Sequence, residues 1–129
     1  MASGAITLSQ PTSIAITGRN VRSRWKSLKL SYGAQKGTAL TMPKAVKAIG
    51  LLLYRCGATF KYGPSFSKLW GIKTRSTEPI GEPTKLFSGE KEYNFDGGFA
   101  PDARICFEVD GAAPATITGY VPHLDERDR

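Results

Sequence analysis

The sequence predicts a mainly β fold: a single-domain sandwich or jelly-roll-like barrel with one short helix. Three observations predict it. Short runs of β-branched and aromatic residues alternate with polar ones, which is the period of a half-buried strand. Gly (14) and Pro (8) punctuate the chain often enough for many turns and short strands. At 129 residues and 40% hydrophobic content, the chain is long enough to bury a core as one domain, 1–129.

The elements follow in order. Ala5-Ile6-Thr7-Leu8 and Ser13-Ile14-Ala15-Ile16-Thr17 are uncharged alternating runs separated at Pro11. Both runs suit either a strand that pairs or an arm, residues 1–17, that docks on a neighbour. Gly18–Arg24 reads as a basic loop carrying Arg19, Arg22 and Arg24. Trp25–Tyr32 reads as an amphipathic strand, with Leu28, Leu30 and Tyr32 opposite Ser27, Lys29 and Ser31. Gly33–Gly37 is a loop. Thr41 stands just before Pro43, and Met42, Val46, Ile49 and Leu53 fall at helical spacing, so a helix is predicted over Pro43–Leu52. Gly50–Tyr54 within this segment also reads as a buried strand.

Ala58–Tyr62 predicts a strand, Gly63-Pro64-Ser65 a turn, and Phe66–Ile72 a short strand or one helical turn. Residues 73–85, polar with Pro79, Gly81 and Pro83, predict a surface loop. Leu86-Phe87 and Tyr93-Asn94-Phe95 flank the acidic patch Glu90-Lys91-Glu92, and Asp96-Gly97-Gly98 signals a tight turn. Ala103–Pro122 predicts a β-hairpin with one face in the core. Ile105, Phe107 and Val109 alternate with Cys106 and Glu108 in its first strand. In its second, Ile117 and Val121 take one parity and Thr116, Thr118 and Tyr120 the other. Asp110-Gly111 begins the loop and Pro114 limits the start of the second strand. Residues 123–129 predict an exposed charged tail.

The charge is divided sharply. Met1–Arg75 holds 13 Lys or Arg and no Asp or Glu, whereas Ser76–Arg129 holds 5 against 11 acids. Three readings follow. The basic stretch faces nucleic acid or an acidic partner surface, it meets the acidic stretch of the next copy, or the two neutralise each other within one fold. The candidate interaction residues are Arg19, Arg22, Arg24, Trp25, Lys26 and Lys29 on the basic side, and Glu108, Asp110 and Tyr120 on the acidic side. Glu108 and Asp110 alternate with core positions and are expected to face solvent. The face bearing Glu108, Thr116, Thr118 and Tyr120 is the expected contact surface for a basic neighbour.

Catalytic and ligand-binding patterns are weak throughout. His123 and Asp125 form a His-x-Asp pair, but no Gly-x-Ser-x-Gly elbow accompanies them. His123, Asp125, Glu126 and Asp128 lack the spacing of a zinc or calcium loop. Gly33–Thr38 departs from the phosphate-binding loop because its lysine precedes the second glycine. The reading is accordingly a protein that is not an enzyme and carries no cofactor or metal. Cys56 and Cys106 are too far apart for a CxxC motif and are expected as free thiols. Met1–Gln10 lacks a basic start followed by an apolar run, and the longest apolar stretch, Ile49–Tyr54, is too short for a bilayer, so neither a signal peptide nor a membrane partner is expected.

Phe95–Asp110 (F-D-G-G-F-A-P-D-A-R-I-C-F-E-V-D) and Pro114–Pro122 (P-A-T-I-T-G-Y-V-P) resemble the style of small β-rich virion proteins of tailed bacteriophages. The resemblance runs across the C-terminal third of the chain, about 35 residues, and these two stretches prompt it. It implies a structural role in capsid decoration, stabilisation or a head–tail or tail connection. The implied partners are copies of the chain and major capsid, portal or tail proteins, and the implied location is the virion after synthesis in the host cytoplasm. The alternative from the basic stretch is a nucleic-acid-binding β-barrel module, with lysines and arginines on phosphates and Trp25 or Trp70 stacking on bases.

Overall fold

The computed structural model describes residues 19–31, 40–57, 60–72, 85–111 and 114–126, with positions 7, 8, 11, 13, 15, 33, 34, 37 and 38 besides. Nine strands form among the described residues: β1 (Val21–Lys26), β2 (Gly33–Ala34), β3 (Gly37–Thr38), β4 (Lys44–Cys56), β5 (Phe60–Ser65), β6 (Lys68–Ile72), β7 (Phe87–Asn94), β8 (Cys106–Gly111) and β9 (Thr116–Glu126). One antiparallel sheet has the order β1-β8-β5-β6 and a second the order β7-β4-β9, with β2 and β3 as a separate two-residue ladder. The two larger sheets face each other as an open sandwich, not a closed barrel.

The predicted helix at Pro43–Leu52 is not formed, and no helix occurs among the described residues. The segment is β4, the central strand of the three-stranded sheet, with β7 on one side and β9 on the other. Its backbone groups are satisfied by two neighbours, and Ile49, Leu51 and Leu53 alternate inward at 0–4% exposure. The helix-like spacing from Val46 to Ile49 has a specific cause. Pairing with β9 skips Lys47, because Val46 pairs Leu124 and Ala48 pairs His123. A bulge residue adds one to the strand period of two, so a spacing of three keeps both side chains on the core face.

The predicted hairpin at Ala103–Pro122 is corrected as well. Both strands form, but β8 lies in one sheet, between β1 and β5, and β9 lies in the other, beside β4. The connection therefore crosses between layers and joins no paired strands. β9 also carries a bulge. Leu52 pairs Gly119 and Leu53 pairs Ile117, which leaves Thr118 out of register. The slip reverses the face of everything after it. Tyr120, expected outside, packs on the core, while Val121, expected inside, is 53% exposed.

Four further expectations change. β1 covers most of the stretch read as a basic loop. The strand read at Trp25–Tyr32 ends at Lys26, after which residues 27–30 follow 103–105 through Ser27 N–H to Ile105 O (2.8 Å) and Leu30 N–H to Ala103 O (3.1 Å). Gly63-Pro64-Ser65 ends β5, and Phe66-Ser67 makes the turn to β6. His123 to Glu126 continue β9, so the tail as read begins inside a strand; residues 127–129 lie outside the described ones. The loop read at 73–85 lies outside them up to residue 84.

The core sits between the sheets. Register places Trp25, Phe107, Tyr62 and Trp70 side by side across all four strands of the β1-β8-β5-β6 sheet. Their rings meet at 5.3 Å for Trp25–Phe107 and 5.6 Å for Tyr62–Trp70. From the opposite sheet, Tyr93 reaches Tyr62 at 5.7 Å and Tyr120 reaches Phe107 at 5.9 Å. The Tyr62 hydroxyl donates to Asn94 O at 2.7 Å, so a polar tip closes the same contact. Cys56 and Cys106 are free and buried, one in each sheet.

Candidate docking seam

β1 ends one sheet and β9 ends the other, and the two edges lie next to each other. Trp25 of β1 meets Tyr120 of β9 edge-on at 5.5 Å. This is the only ring contact that joins the two edge strands among the described residues, and beside it the layers part. The opening is a groove of about 470 Å³ lined by Ser23 and Trp25 of β1, Phe60 of β5, Phe107 of β8, and Ile117 and Tyr120 of β9. No charged side chain lines it among the described residues.

The local sequence explains the opening. β1 has small Ser23 between Val21 and Trp25, so its inward row holds one large ring and a gap. The Thr118 bulge brings Gly119, which has no side chain, to the groove wall. Trp25 stacks one face on Phe107 and remains 45% exposed. Every residue of β1 is exposed, and Val21 is 62% exposed. Among the described residues no strand pairs with the outer edge of β1 or of β9. An unpaired strand edge offers a row of N–H and C=O groups to another chain.

Behind the aromatic row, the outer face of the same sheet carries a charged row. Arg24, Glu108 and Lys61 pair in register across β1, β8 and β5. Arg24 Nε donates to Glu108 Oε2 at 2.7 Å, and Lys61 Nζ lies 3.5 Å from the other carboxylate oxygen. The hydrogen bond from Arg24 holds the Glu108 carboxyl below its ordinary pKa, ahead of the opposing effect of desolvation. Glu108 is only 5% exposed, which corrects the expectation that it faces solvent. Asp110 accepts from Asn20 at 3.1 Å and Arg22 at 3.3 Å.

The structure thus divides the sequence-predicted residues. Arg22 and Arg24 meet Asp110 and Glu108 of the same chain, whereas Trp25 and Tyr120 converge on the groove. Arg19 and Lys26 are exposed and Lys29 is half-buried; none of the three lines the groove. Lys47–Asp125 at 4.0 Å and Lys68–Asp96 at 3.5 Å repeat the pattern of an early base against a late acid. Of the three readings of the charge division, these contacts are the internal one. Most are exposed pairs that add little to stability individually.

The reading missed Phe60, Phe107 and Ile117 as groove residues. Their alternation marked them as core, which they also are. Two strand edges meeting leaves no signal along the chain. His123 Nε2 lies 3.8 Å from Glu92, and no group of three or more His, Cys, Asp or Glu that could hold a metal ion occurs among the described residues. The described lining is apolar and aromatic apart from the hydroxyl-bearing Ser23, Thr118 and Tyr120. No helix among the described residues is long and apolar enough to cross a membrane. No protein-family model and no curated protein matches the chain.

Proposed function

We propose that this chain is a non-catalytic structural protein of a phage virion. It contacts copies of itself and other virion proteins as a decoration, stabilising or connector accessory part of a capsid or tail. One observation carries the docking half of this reading: among the described residues, an uncharged groove lies between two unpaired sheet edges, with Trp25 45% exposed at its mouth. Half-buried aromatics in grooves are frequent anchors of protein contacts, and open edges accept an added strand. The virion setting rests on the resemblance of Phe95–Pro122.

The test is assembly. Sedimentation velocity of the purified chain across the micromolar range, with co-sedimentation on phage particles, is expected to show self-association or particle binding. A chain that stays monomeric and sediments with no particle overturns the proposal. A fluorescence-anisotropy titration with single- and double-stranded nucleic acid covers the alternative. Binding that falls steeply with salt, without protein assembly, would replace the proposal with the nucleic-acid module.

A further inference from the structure

We infer that the groove between β1 and β9 receives the N-terminal run Ser13–Thr17 of a second copy as an added strand. The inference rests on the docking reading above and names its partner. Four observations lead to it.

The first is chemical match. The groove's described lining holds no charged side chain, and residues 1–18 form the longest stretch of this chain free of Lys, Arg, Asp and Glu side chains. A charged segment would lose hydration there without a partner, whereas an uncharged one would not. The second is pattern. In Ser13-Ile14-Ala15-Ile16-Thr17 the two isoleucines share one parity, so one face of an added strand would offer both to the groove while Ser13, Ala15 and Thr17 face out. Five residues extend over roughly 16 Å, close to the six residues of β1.

The third is occupancy. In the single chain every described arm residue is exposed, including Ser13, Ala15 and Leu8, the last at 51%. The arm's described positions do not fill their own groove. The fourth is connection. The run ends four positions before Val21, the first residue of the groove's own edge strand, so an arm leaving one copy starts at the seam it would fill in the other. Two copies related by a two-fold axis can exchange arms reciprocally, which closes the assembly.

The test uses the full-length protein. Ile14→Cys copies are mixed with Ser23→Cys copies under mild oxidation, with the buried Cys56 and Cys106 left in place. The expected product is a mixed disulfide dimer that contains one copy of each variant. In parallel, Ile14→Asp and Ser23→Asp are each expected to weaken self-association by at least about tenfold, because each sets a carboxylate in an apolar contact. Ser23 is exposed on β1, and Ile14 acts in the inference only through the second copy, so far-UV circular dichroism and Tm are expected to match the parent and report folding separately. Assembly that proceeds unchanged with both aspartate variants overturns the arm inference and leaves the docking reading standing. So does a cross-link that forms only within the double variant Ile14→Cys/Ser23→Cys, as a monomer. A parent protein that never assembles and binds no particle overturns both.

Discussion

Phe107 joins the two layers, so its truncation measures how much of the fold depends on the aromatic row. It is 3% exposed and touches Trp25 at 5.3 Å, Phe60 at 5.2 Å and Tyr120 at 5.9 Å between ring centres. A buried aromatic covers about 150–250 Å², and at about 25 cal/mol per Å² the whole side chain is worth about 4–6 kcal/mol. Phe107→Ala keeps the β-carbon, and core Phe→Ala changes cost about 3–5 kcal/mol. The groove beside Phe107 lets water and Trp25 relax into the space, so the lower end, about 3 kcal/mol, is expected. In a domain of this size that lowers Tm by about 9–15 °C. Urea unfolding followed by far-UV circular dichroism avoids the altered tryptophan environment. A double-mutant cycle with Trp25→Ala is expected to return a coupling of about 0.5–1.5 kcal/mol for the stacked pair. A loss below about 1 kcal/mol for Phe107→Ala, or zero coupling, would show that the row is not what holds the layers together.

Tyr62→Phe and Tyr93→Phe form a contrasting pair. The first removes the hydroxyl that donates to Asn94 O and is expected to cost about 1–2 kcal/mol in urea unfolding; the second removes a buried hydroxyl that has no hydrogen-bond partner among the described residues and is expected to change stability little or raise it by up to about 1 kcal/mol. Gly63→Ala is expected to lower Tm clearly and Gly71→Ala to leave it nearly unchanged, because a β-carbon at Gly63 would overlap the Lys68 carbonyl oxygen, while none at Gly71 meets a neighbouring atom. Glu108 sets a pH dependence. Its carboxyl titrates lower in the folded chain, held by Arg24, than its ordinary value of 4.5. The unfolded chain binds the proton first, so this stabilisation is complete above about pH 4.5 and is lost as pH falls through the lower folded value. Glu108→Gln is expected to flatten that part of a Tm-against-pH profile, and an unchanged profile would remove Glu108 from the account.

Much of the fold was legible because strand alternation is a local property. Ile105, Phe107 and Val109 in β8, and Leu51 and Leu53 in β4, declare an inward face within a few residues. The errors came where pairing alters local periodicity. Lys47 and Thr118 are bulge residues, and each turns a period of two into a step of three. In β4 that step imitated a helix, and in β9 it exchanged the faces of Tyr120 and Val121. Nothing in either residue's chemistry marks it as a bulge, since only the partner strand determines which residue is skipped.

The candidate site was legible only in part. Trp25 and Tyr120 stood out as aromatics beside polar residues, and both reach the groove. Arg22 and Arg24 stood out as bases without nearby acids, and the structure answers them with Asp110 and Glu108, more than 80 positions away. The uncharged N-terminal run was visible in the sequence as well.

The amino-acid order by itself determined that the chain builds strands, that its bases and acids are separated along its length, and that an uncharged run precedes β1. Those are properties of neighbouring residues and need no third dimension. Only the tertiary structure decided that β8 and β9 belong to different layers, that the separated charges meet across β1, β8 and β5, and that two sheet edges part at Trp25 and Tyr120 to leave a groove. Each of these depends on which strand lies beside which, and that is set by burying the aromatic row and satisfying backbone pairs over the whole sandwich at once.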